Sequence, residues 1–177
     1  MLRELLSCGA DKVGRLSYCA LVDAEAVALA AAAGIGATVT LSVGHKLTGD
    51  GEPVTITGRV RTLTDGVFTQ HDAGMQGIEA NFGPTAVIAI GDIRLALRSL
   101  PSFEWDTGMY TSVGLPLRHA AMVFVKSSSH FRVAFSPHAD RVLAADTPGA
   151  TAGNMRRLQF RNVTRPLYPV DYNEPGA

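Results

Sequence analysis

Two apolar alternations meet at Gly91-Asp92, and that junction limits the fold more tightly than any other feature of the chain. Ala86, Ile88 and Ile90 run into the dipeptide, and Ile93, Leu95 and Leu97 run out of it. A period of two places these side chains on one face of a pleated ribbon. The glycine-containing pair between them provides a tight turn, so the segment predicts an antiparallel hairpin. Arg94 and Arg98 fall on its opposite, wetter face.

The flanking segments supply more strands. Val39, Leu41 and Val43 alternate with Thr40 and Ser42; Val54, Ile56 and Val60 alternate again, with Gly58 marking a bulge. Asp65-Gly66 is a two-residue hairpin signal ahead of Val67 and Phe68, and His71 to Gly83 has no clear period. Upstream, Leu2, Leu5 and Leu6 read as the last part of a helix, which fits a domain's own start or a chain whose upstream part lies elsewhere. Leu16 to Val22 is an apolar strand bounded by turn residues. Asp23 caps the alanine-rich helix that follows, Glu25 complements its dipole, and Gly34 or Gly36 ends it.

Downstream, Thr107 to Val113 reads as a short helix stopped by Gly114 and Pro116. Ala121 to Val125 is continuously apolar, which predicts a central strand covered on both faces. A helix with Phe131, Ala134 and Phe135 on one side comes next, then a cap at Ser136-Pro137, a last short strand over Val142 to Ala145, and an extended tail. The expected fold is one α/β domain with a mixed sheet, antiparallel hairpins and a few covering helices, spanning 1–172, with 173–177 as a tail.

Composition removes several function classes. Lys plus Arg equals Asp plus Glu at 16 each, so there is no electrostatic footprint for nucleic acid or an anionic membrane. Cys8 and Cys19 lack metal spacing and cannot form a disulfide framework. The start, MLRELLSCGA, has no secretory core, and the alanine run is too short to span a bilayer. These features predict a reducing, cytoplasmic setting.

The stretch VKSSSHFR, Val125 to Arg132, is the best local candidate for chemistry. A strand that ends in a serine turn and opens a helix leaves free N–H groups that favour an anion. Lys126, Ser127, His130 and Arg132 would add charge or donors for a carboxylate, a phosphate or a developing oxyanion. The same residues also fit plain caps and a solvated lysine. No GxxxxGK[ST] loop, HExxH pair or GxSxG elbow occurs, so no catalytic or metal residue is assigned. The turn Asp146 to Gly149, DTPG, is explained by its composition.

Taken in order, GATVTLSVGHK, VTITGRVRTLTDGVFT, GPTAVIAIGDIRL, VKSSSHFRVAF, DTPG and RPLYPVD resemble the C-terminal domain of the microcystinase C (MlrC) family of bacterial metallopeptidases, from about Leu16 to Tyr172. The resemblance implies zinc bound by a separate N-terminal domain, with no cofactor in this chain, and small peptides as substrates. It implies that domain as a partner, in the same or a separate chain, and allows a homo-oligomer. It places Lys126, Ser127, His130, Phe131 and Arg132 near the interdomain cleft. A free-standing module that binds a small anion or a partner protein is the competing expectation.

Overall fold

The computed structural model describes residues 1–46, 49, 51–72, 74–127, 129–145 and 154–172. They fall into two compact units, Met1–Asp140 and Arg141–Ala177. The first opens with α1 (Leu2–Ser7), β1 (Leu16–Val22), α2 (Ala24–Ala33) and β2 (Thr38–Val43). It continues through β3 (Val54–Thr64), β4 (Val67–Thr69), β5 (Glu79–Asn81), β6 (Thr85–Ile90) and β7 (Ile93–Arg98). It closes with α3 (Gly108–Thr111), β8 (Ala120–Val123) and α4 (Phe131–Phe135).

The alternation around Gly91-Asp92 forms as expected. Ile90 pairs with Ile93, and the antiparallel register runs back to Thr85 opposite Arg98. Gly91 turns at φ 52°, and a Cβ there would collide with the Asp11 carbonyl, so this turn needs glycine for conformation and for space. The hairpin is central in a six-stranded sheet of order β2-β3-β6-β7-β1-β8. β1 runs parallel to both β7 and β8, whereas β2, β3, β6 and β7 pair antiparallel, which makes the sheet mixed. Asp23 caps α2 by accepting the Ala26 N–H at 3.0 Å, and Gly34 ends the helix at φ 85°.

Both faces of the central strands of this sheet are covered. Cys19, Leu41, Ile56, Val60, Ile88, Ile93, Leu95 and Leu97 pack with Leu2 and Leu5 of α1 and Val27 of α2. On the other face Tyr18, Val87 and Ala96 meet Met109, Tyr110, Val113, Leu115, Ala134 and Phe135. Removal of this apolar surface from water is the main force holding the layers together.

Several expectations are corrected. Gly58 sits in regular register opposite Val39, and the bulge falls between Val60 and Thr62. Glycine is needed at 58 because a Cβ would stand 2.6 Å from the Ala89 carbonyl oxygen and 2.7 Å from Ile88 Cγ2. Asp65-Gly66 does not close a β3–β4 hairpin. Phe68 packs edge-on to Phe82, ring centroids 5.2 Å apart, and β4 pairs with β5 from the stretch expected to be irregular. β8 is an edge strand paired to β1, with Met122 47% exposed. An apolar run shows what a strand is made of, not how many neighbours it has. Arg98 is only 2% exposed, so the face called wetter is dry at that position.

In the second unit, Val142 to Ala145 forms no strand, and Leu143 is 85% exposed because no partner strand lies beside it. The tail turns back on itself. Asp171 accepts the Leu167 N–H at 2.7 Å and pairs with Arg165. The DTPG turn, Asp146 to Gly149, lies outside the described residues.

Candidate functional site

The three parallel strands β7, β1 and β8 point the same way, and their carboxyl ends deliver Arg98, Asp23 and the segment entering Lys126 to one rim of the sheet. Ligands of open α/β sheets gather at such rims, where chain leaves the ladder and side chains and N–H groups become free. Asp23 is already saturated. It accepts N–H bonds from Ala26 and Gly44 at 3.0 Å each and a Lys46 Nζ bond at 3.1 Å. Lys46 also pairs with Glu25 at 3.0 Å. Burial pulls the Lys46 ammonium down, but its bonds to Glu25 and Asp23 outweigh that and hold it above the usual lysine value. This cluster therefore fixes the start of α2 and offers no free base.

Beside it, Arg98 and Glu104 form a buried ion pair. The second Glu104 oxygen accepts the Lys126 N–H at 2.5 Å. Arg98 Nε and Nη1 have no hydrogen-bond partner, yet the guanidinium lies 4.5 Å from the Phe82 ring centroid, so the π face receives part of its charge. Two further bonds hold the chain just before Lys126. Tyr110 Oη donates to the Phe124 carbonyl at 2.6 Å, and the Phe124 N–H donates to the Tyr18 carbonyl at 2.8 Å. Burial, reinforced by the Glu104 charge, pushes the Tyr110 phenol well above its ordinary value, so it remains a donor.

The loop between β7 and α3 is equally fixed. Asp106 accepts N–H bonds from His71 at 2.8 Å, Asp72 at 2.7 Å and Gly108 at 2.7 Å. Trp105 Nε1 donates to Gln70 Oε1 at 2.9 Å. Two further rings contact the indole. Phe103 stacks on it at 4.3 Å, and His130 leans against it at 5.4 Å. Phe103 is 69% exposed and His130 is exposed as well, so the row Phe103–Trp105–His130 presents aromatic rings to solvent. A cavity of about 150 Å³ adjoins it, lined by Phe68, Gln70, Phe82, Phe103 and Trp105 among others.

The residues singled out by sequence occupy this rim in different ways. Lys126 is anchored through its backbone while its side chain is exposed, and Ser127 is half-buried. His130 is exposed, with Nδ1 3.3 Å from Ser129 Oγ. Arg132 lies over the Phe131 ring at 5.3 Å, exposed to solvent. Helix α4 has five residues and no side-chain cap, too short for a substantial dipole, so recognition here falls to side chains. No carboxylate bonds the His130 ring among the described residues, so His130 belongs to no triad among them. Phe103, Glu104 and Trp105 carry no motif that marks them as part of a site in the sequence. The available signal was two aromatics flanking an acid in a segment without period.

Among the described residues no three or more His, Cys, Asp or Glu converge as metal ligands. These residues do not fit a zinc ion, and no hydrolytic step is assigned to them. No described helix is long and apolar enough to cross a membrane.

The family described as "MlrC C-terminus" matches residues 1–162. The chain is also similar to a crystal structure of a "Putative metallopeptidase" from Mesorhizobium sp. BNC1, at 29% identity and a TM-score of 0.81. That likeness covers 98% of this chain but 35% of the other, so the chain spans little more than a third of that protein's length. No curated protein matches the sequence.

Proposed function

The chain belongs to the MlrC C-terminal family, and on that premise we propose that it forms one wall of the substrate cleft in a cytoplasmic zinc metallopeptidase acting on small peptides. In this reading the zinc is held by an N-terminal domain that precedes or joins this one. The metal supplies an activated water when bound. The residues of this chain bind and orient. The exposed aromatic row Phe103–Trp105–His130, at the carboxyl rim of the parallel strands, carries the proposal. Exposed aromatic rings pack peptide side chains at low entropic cost, since few rotors must be frozen. Lys126, Ser127 and Arg132 flank His130 in sequence, and in this reading their donors hold a substrate carboxylate.

The test uses this chain joined to a metal-binding domain of its family. His130→Ala is expected to lower kcat/KM for a small peptide by about tenfold, or ~1.4 kcal/mol of transition-state binding. Arg132→Ala is expected to act mainly on KM. Unchanged turnover in both folded variants would remove the cleft role.

A further inference from the structure

The opposite end of the same sheet face holds a second pocket, of about 250 Å³. Its floor is Tyr18 of β1 and Val87 of β6, both buried. Arg61 of β3, Arg94 of β7 and His119 stand around it, and Pro116 closes one side. It lies at the amino ends of β1 and β7, away from the rim described above.

Its charge is one-sided. No carboxylate lines the pocket among the described residues. Arg118 adds a further positive charge close to Tyr18. Arg94 spends Nη1 on the Gly91 and Ile93 carbonyls, at 2.7 and 3.1 Å, leaving its other donors uncommitted. Arg61 has no hydrogen bond or ion pair to any described residue. It is the extra residue of the β3 bulge, between Val60 opposite Ile88 and Thr62 opposite Val87. A bulge re-aims the side chain it carries, here to a pocket wall. Guanidiniums left without anions over an apolar floor repel one another, and the low-dielectric floor strengthens their attraction for an anion.

We propose that this pocket binds a small phosphate-class dianion, held between the forks of Arg61 and Arg94 with His119 as a third donor. A tetrahedral oxyanion offers oxygen edges to two guanidinium forks from a single centre, which a monocarboxylate does not. Free phosphate and the head of a phosphate monoester share this chemistry. The inference is independent of the peptide-cleft reading, because no residue serves both.

The experiment is calorimetric and NMR titration of the 177-residue chain at fixed ionic strength, with inorganic phosphate, glycerol 3-phosphate and succinate as probes. Saturable phosphate or phosphate-ester binding is expected, with shifts at the Arg61 and Tyr18 amides, and the stronger of the two probes identifies the source. Arg61→Gln should weaken it at least tenfold. That exposed side chain has no partner to lose, so folding is preserved; Arg94→Gln gives the second reading. Arg3→Gln removes an equal charge on α1 and should leave affinity unchanged. Failure of both phosphate probes to bind, preference for succinate, or equal loss in Arg3→Gln would overturn the proposal.

Discussion

Arg94 and Arg98 lie on one strand and on one face of one sheet, yet they have opposite surroundings. Arg98 is buried, paired with Glu104 and laid on Phe82. Arg94 is half-exposed, bonded only to backbone carbonyls, and opens onto a pocket without a carboxylate. The difference arises above the sheet. At the Arg98 end, Asp106 ties the loop to His71 and Asp72 and closes the layer. At the Arg94 end, the connection around Gly114 to His119 leaves a gap. The closed end positions backbone for the candidate site, and the open end retains uncommitted charge.

The largest expected effect comes from breaking the closed end. Arg98→Ala leaves Glu104 buried and unpaired, which should cost about 3–5 kcal/mol in chemical denaturation. Arg98→Met with Glu104→Leu should recover part of that loss, because no charge remains buried. The recovery stays incomplete by roughly 1–3 kcal/mol, since the Lys126 N–H loses its acceptor. A loss below ~1 kcal/mol for Arg98→Ala would show that the two ends do not differ in this way.

The two tyrosines sharpen the same contrast through pH. Tyr110 and Tyr18 touch, with ring centroids 5.8 Å apart, and both phenols are raised by burial. Glu104 raises Tyr110 further, whereas Arg94 and Arg118 pull Tyr18 back. A folded-state pKa above the unfolded value of about 10 gives stability that is complete below pH 10 and is lost as pH rises through the folded value. Urea midpoints should therefore fall above pH 10, with Tyr110→Phe flattening the fall more than Tyr18→Phe. The smallest effect belongs to Arg94→Ala, expected at about 1 kcal/mol or less in chemical denaturation, since its two lost bonds share one partly solvated donor nitrogen.

Where contacts are close in sequence, the residues already announced the structure. The hairpin at Gly91-Asp92 rests on a period of two and one turn, and the Asp23 cap bonds Ala26 three residues away. The turn entering α4 was likewise visible in VKSSSHFR. The burial of Arg98 was not, although Glu104 is near in sequence, because it depends on a loop anchored 34 and 35 residues upstream at Asp72 and His71. The same holds for Trp105, whose position is set by Gln70. The edge position of β8 was hidden because strand order is a property of the assembled sheet. The pocket around Arg61 was hidden because β3, β7 and the His119 turn meet only in the fold.

The buried Arg98–Glu104 pair anchors the backbone at Lys126, four residues before the His130 ring that contacts Trp105. Trp105 is the chain's single tryptophan, so its emission reports the contact with His130 directly. His130→Ala should shift Trp105 emission in the wild-type background, and should leave it nearly unchanged in a Glu104→Ala background, where the turn has already been released. The same shift in both backgrounds would contradict the claim that the Arg98–Glu104 pair positions this site.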